Sequence, residues 1–552
     1  MAFHNPTSAT YRRPAPQVAR TATIPGPVLG IDARTILSEG NPNFCIYSFN
    51  LVPAEYGLKV RSGYREWAIE LNNGSGVGVR TIIPFGGDDD DASDDRLFAV
   101  TNEGIWNVST YAAAPVFVLD FSNPVNGGIT GGDAGRGVYT QLTTDAGDKM
   151  VFYADAENGL FTYDAVSDIW SRASGFTGVT IEDVVFVTTH KDQLWMFERD
   201  SSVAFYLAAG AIMGAATAFY FGSKFKHGGN LAGLFVWTID GGSGVDDLLV
   251  AVSRAGDVIP YQGTDPSSAD TWGSVGQYFI GAVPAGHRFA NGESGNLYLL
   301  SIFGLISMQE LIRGVYAQNI RENTETLKIA QIIRPAMDLT RNDFGWDVLL
   351  LPSIGSLVIG SPKILSQDYV QYVTNTTNGG WGLWRDVPLD CCAEWSGKIY
   401  IGDSDNRVLV MDVDIDNSLI TPPEEGANGD AVNWSILTTF QSLGQPALFK
   451  RGQYVRAQFL AAIKPNSTSN FRYDFDLSEV LNTASSSINS SSLWDFGLWD
   501  SAVWGADTPT GQDQLQGGWG MGRSIAIATS GNSRVETTLI HWDVVYDSGA
   551  PL

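Results

Sequence analysis

The stretch "RLFAVTNEGIW" (Arg96 to Trp106) decides the fold. An apolar run is followed by a polar turn with one glycine, then by a second apolar run. The same texture returns in "KMVFYADAENGLF" (Lys149 to Phe161). It continues through "QLWMF" (Gln193 to Phe197), "DLLVAV" (Asp247 to Val252), "NLYLLS" (Asn296 to Ser301), "SLVIG" (Ser356 to Gly360) and "KIYIG" (Lys398 to Gly402). Anchored on Leu97, Met150, Leu194, Leu248, Leu297, Leu357 and Ile399, the steps are 53, 44, 54, 49, 60 and 42 residues. Each unit reads as a β-hairpin, with glycine where the turn needs positive φ. A lone hairpin cannot bury its apolar face. Two further strands per unit give four-stranded blades, and periods of about 40–50 residues built from strands point to a β-propeller.

The sequence therefore predicts an all-β fold: an irregular β-propeller of six or seven blades, with a second β-rich platform domain. The blades fall between roughly residues 60 and 415. The domain reading is an extended N-terminal arm over 1–40, the propeller over 41–415 and a C-terminal β domain over 416–552, joined by N-terminal segments. "SMQELIRGVYAQNIRENTETLKIAQIIRPAMDLTRN" (Ser307 to Asn342) is the one stretch of helical composition. Beyond residue 415 the texture changes. "RGQYVRAQFLAAI" (Arg451 to Ile463) alternates as a strand, and "IAIATSGNSRVETTLIHWDVVYD" (Ile525 to Asp547) reads strand, turn, strand. Trp494, Trp499 and Trp504 recur every five residues, matching neither helix nor strand period.

Composition agrees. The 552 residues are 44% apolar and 17% charged, so the chain folds and exceeds one ordinary core. Net charge is −26, from 34 Lys and Arg against 60 Asp and Glu. Such a surface does not wrap nucleic acid, because each phosphate contact needs a cation. It does not exclude a passage through which DNA slides, where like charge on the wall would keep the duplex from lodging. Asp88, Asp89, Asp90, Asp91, Asp94 and Asp95 put six carboxylates into eight residues. They lack the ordered spacing and turn glycine of a calcium loop. The run reads as a solvated loop or as a negative ring in an oligomeric channel. Arg12, Arg13 and Arg20 give the N-terminal arm positive charge, for a frayed terminus or for docking onto an acidic neighbouring subunit.

Cys45, Cys391 and Cys392 cannot build a disulfide framework, which fits assembly in a reducing compartment. The five histidines are scattered without metal-ligand spacing. The N-terminus has no apolar signal core. "VAFYLAAGAIMGAATAFYFG" (Val203 to Gly222) nearly reaches spanning length but is dominated by Ala and Gly; a buried strand pair or an apolar loop is expected, with no resident membrane segment. No G-x-S-x-G, phosphate loop or zinc pattern appears, so no enzyme, cofactor or metal is expected.

"IPGPVLGIDARTILSEGNPNFCIYSFNLVPAEYGLKVRSGYREWA" (Ile24 to Ala68) resembles the start of tail nozzle or hub proteins of short-tailed bacteriophages. The likeness rests on Pro27 and Gly30, Asn41 and Pro42, Asn50 and Pro53, and Arg61, Gly63 and Tyr64. Residues 225–272 and "QYVTNTTNGGWGLW" (Gln371 to Trp384) look similar as well. The resemblance implies a structural virion protein of the tail, assembled in the host cytoplasm. It implies a homo-hexamer below the portal and adaptor rings, contacting tail fibres. Double-stranded DNA would be retained in its lumen and pass through at ejection without specific binding. Six copies would place a charge of −156 around one axis, largely screened beyond about 10 Å. The alternatives are a propeller-type glycan-binding adsorption module and a glycan hydrolase.

Overall fold

A computed structural model describes residues 19–549, except 35–39, 75, 88–91, 145–146, 241–244, 292–294, 316–318, 364–368, 421–428, 464 and 481–509. Strands make up 50% and helix 8%, so the protein is all-β. The hairpins expected from the sequence form where the apolar runs lie. Arg96–Thr101 pairs antiparallel with Gly104–Asn107, and Lys149–Asp155 with Gly159–Asp164. Gly159 takes φ +86°, as the turn reading requires. Gly104 is required more by crowding, since a Cβ there would lie 2.0 Å from the Leu119 carbonyl oxygen.

Each hairpin grows into a small antiparallel sheet. Val79–Phe85, Arg96–Thr101, Gly104–Asn107 and Val116–Asp120 form the first in chain order. The next spans Gly137 to Arg172, then Val184 to Tyr220, then Leu231 to Ser274. A three-stranded sheet covers Ala290 to Ser307. Asp347–Leu351, Ser356–Gly360, Val370–Asn375 and Trp381–Arg385 follow. The final sheet takes Cys391–Trp395, Lys398–Gly402 and Val408–Val413 from one end of this region and Gly63–Ala68 from the other.

The apolar core is distributed between these sheets. Phe98, Val100 and Phe121 of one sheet meet Tyr153, Phe161 and Trp170 of the next. Phe152 and Leu160 meet Val187 and Met196; Trp195 and Phe197 meet Leu249 and Trp272. Further seams join Val358 and Trp384 to Ile401 and Leu409, and Tyr400 and Val408 to Val79 and Leu97. That last seam joins the final sheet to the first. The first strands also adjoin: Gly137–Thr143 lies against Val79–Phe85 and Val184–His190, and Cys391–Trp395 against Val79–Phe85. The sheets thus close on themselves in a propeller-like ring. Each buries both faces against neighbours, which explains near-continuous buried runs such as those of Leu97–Thr101 and Ser356–Gly360.

The apolar run 203–222 supplies the two outer strands of one sheet, Val203–Tyr206 paired with Thr217–Tyr220. Among the described residues no helix is long and apolar enough to cross a membrane. The stretch of helical composition holds the helices Met308–Ile312 and Ala330–Thr340.

A second body packs beside the ring. Phe449–Ala461 pairs with both Thr537–Gly549 and Thr510–Gly517. Asp430–Thr438, Ile525–Ser533 and Asn466–Tyr473 extend the sheet that begins at Asp347. N-terminal strands complete both layers. Arg20–Pro25, within the stretch read as an arm, pairs with Thr537–Gly549. Cys45–Phe49, Leu51–Pro53 and Leu58–Val60, counted above with the propeller, run in these same two sheets. Backbone pairing across almost the full chain length places them there, and no local pattern marks it.

Candidate functional site

The sequence-predicted site residues do not converge. Asp88 to Asp91, Arg12 and Arg13 lie outside the described residues. Asp94 is exposed, and Asp95 accepts the Gly87 N–H at 2.8 Å, closing the hairpin loop. Arg20 is an exposed strand end. Trp494, Trp499 and Trp504 also lie outside the described residues. Among the described residues no three His, Cys, Asp or Glu are grouped to hold a metal.

Charge gathers instead at the centre of the ring, on residues the sequence did not single out. Arg80, Arg136 and Arg288 come from different sheets or their entry loops. Arg80 Nη1 donates to the Gly132 and Ala134 carbonyls at 2.8 and 2.7 Å. Arg288 reaches across to donate to the Arg80 carbonyl at 3.2 Å, with its Nε 3.5 Å from buried Asp347. Burial pushes the Asp347 carboxyl up against the pull of Arg288 and Arg136. Asp155, fully buried, accepts Gly135 N–H and the Tyr153 hydroxyl on one oxygen and the Glu157 and Asn158 N–H groups on the other. Burial raises its pKa as well. Charged side chains therefore tie the first strands together across the ring axis. Solitary arginines at wide spacings carry no pattern, so only the fold reveals them.

His287 stands beside this cluster. Its Nδ1–H donates to the Ala232 carbonyl at 2.7 Å. Burial, helped by the charge of Arg254, lowers its pKa to about 3. An unfolded histidine titrates near 6.5, so the unfolded chain takes up this proton first. Stability is then full above about pH 6.5 and drains as pH falls toward 3, at up to about 1.4 kcal/mol per pH unit. His287→Gln is expected to flatten that part of the profile in urea unfolding at pH 7, 5 and 4. An unchanged slope would remove His287 as the source.

The second polar centre joins ring to platform, and here the residues of the family resemblance meet. Arg61, its side chain 1% exposed, makes a two-pronged ion pair with Asp416 at 2.8 and 2.7 Å. Its Nε donates to Asn50 Oδ1 at 3.0 Å. Asn50, at φ +58°, donates to the Arg385 and Asn433 carbonyls, one before the final ring sheet and one in the platform. Tyr64 donates to Asn417 Oδ1 at 3.0 Å. Asn375 Nδ2 donates to the Pro53 carbonyl, and Asn378 Nδ2 to that of Val28. Gly30 bridges to Trp381, whose indole donates to Glu325. Two of the three resembling stretches, Ile24 to Ala68 and Gln371 to Trp384, about 320 residues apart in sequence, form one contact.

A cleft of about 330 Å³ opens at this junction. Its lining is mixed: Val52, Val60, Trp384, Ile399 and Met411 alternate with Lys59, Arg61, Ser353 and Asn375.

No protein-family model and no curated protein matches the chain. Among solved structures it is similar to the extracellular domain of hybrid two-component system BT3049 from B. thetaiotaomicron. Identity is 11% and TM-score 0.39, over 76% of this chain and 56% of that one. BBS1N in complex with ARL6DN gives 11% identity and TM-score 0.29, over 45% and 74%. YCF48 from Cyanidioschyzon merolae gives 8% and 0.24, over 57% and 79%. The aligned part thus spans little more than half of the first of these structures.

Proposed function

We propose that the chain is the structural subunit of a tail nozzle of a short-tailed bacteriophage. In this reading the ring is a seven-bladed propeller, closed by Gly63–Ala68 as outer strand of the last blade. Six copies surround a lumen that continues the portal–adaptor channel, retains packaged DNA and passes it at ejection. The observation that carries the reading is the junction. Gly30, Asn50, Pro53, Arg61 and Tyr64, among the residues that carry the resemblance, and Asn378 and Trp381 of a second resembling stretch help weld ring to platform. A welded two-part subunit is what a rigid conduit wall needs.

The charged hub supports a lumen between subunits. Arg80, Arg136 and Arg288 occupy the axis of each ring, so duplex DNA would run between subunits and not through one. The net charge of −26 keeps such a wall from binding phosphate. Localisation follows: the virion tail, with adaptor protein above and fibres beside it. Particles assembled without the chain are expected to package DNA and then lose it to added nuclease. Particles that keep a protected genome without it would overturn the reading.

A further inference from the structure

We draw no further inference here: the strongest candidate, the cluster of Arg80, Arg136 and Arg288 side chains at the ring axis, belongs to the charged centre already described, where Asp133, Asp347 and Asp390 oppose the same three charges and leave none among the described residues to select a ligand.

Discussion

Arg61→Ala is expected to lower the unfolding free energy by about 3–5 kcal/mol, the cost of stranding a buried charge. Its partner Asp416 is 8% exposed and would keep a carboxylate without its guanidinium. Asn50 Oδ1 would retain the Arg385 N–H but lose the Arg61 contact, loosening the corner where the sheets meet. The double change Arg61→Met with Asp416→Leu is expected to recover most of the loss, because well-packed apolar groups can replace a buried ion pair. Urea unfolding reads both. A loss below about 1 kcal/mol for Arg61→Ala would mean the pair does not weld the junction.

Gly63→Ala is expected to destabilise by about 3 kcal/mol, at the upper end of overpacking costs. A Cβ at this position would lie 2.1, 2.3 and 2.6 Å from the carbonyl oxygen, carbonyl carbon and nitrogen of Ile415. All three are backbone atoms, so no side chain can swing aside. The residue starts the strand that pairs with Val408–Val413 and closes the ring. Amide exchange in residues 408–413 is therefore expected to accelerate more than in Lys149–Asp155, which lies well away from the closure. Ser62→Ala, one residue earlier, is expected to stay within about 0.5 kcal/mol. Equal melting temperatures for Gly63→Ala and wild type would show that the closure accommodates the added methyl group.

The hairpins were legible because their information is local. Apolar runs flank a polar turn, and strands pair with their sequence neighbours. The turns carry a second device that glycine alone did not reveal. Asp155 accepts the N–H groups of Glu157 and Asn158, and Asp403 those of Asp405 and Arg407, so a carboxylate shapes each corner. Closure was not legible. Gly63–Ala68 and Val408–Val413 lie about 340 residues apart, and no period links them. The same holds for Arg20–Pro25, which looks like a proline-rich arm until its partner strand is known. The two helices were legible too: Met308–Ile312 and Ala330–Thr340 lie inside the stretch of helical composition that lengthens the step from Leu297 to Leu357 to 60 residues. The hub was invisible for another reason. Arg80, Arg136 and Arg288 are ordinary surface-type residues until strands from different sheets bring them to one axis.

The most direct measurement is an electron-microscopy map of the tail in the assembled particle, at a resolution that separates β-sheets. The account predicts six copies around a continuous lumen in line with the portal, each a seven-lobed ring with its own axis filled. A single copy away from that axis, or subunits whose sheets lie in an open stack, would contradict it.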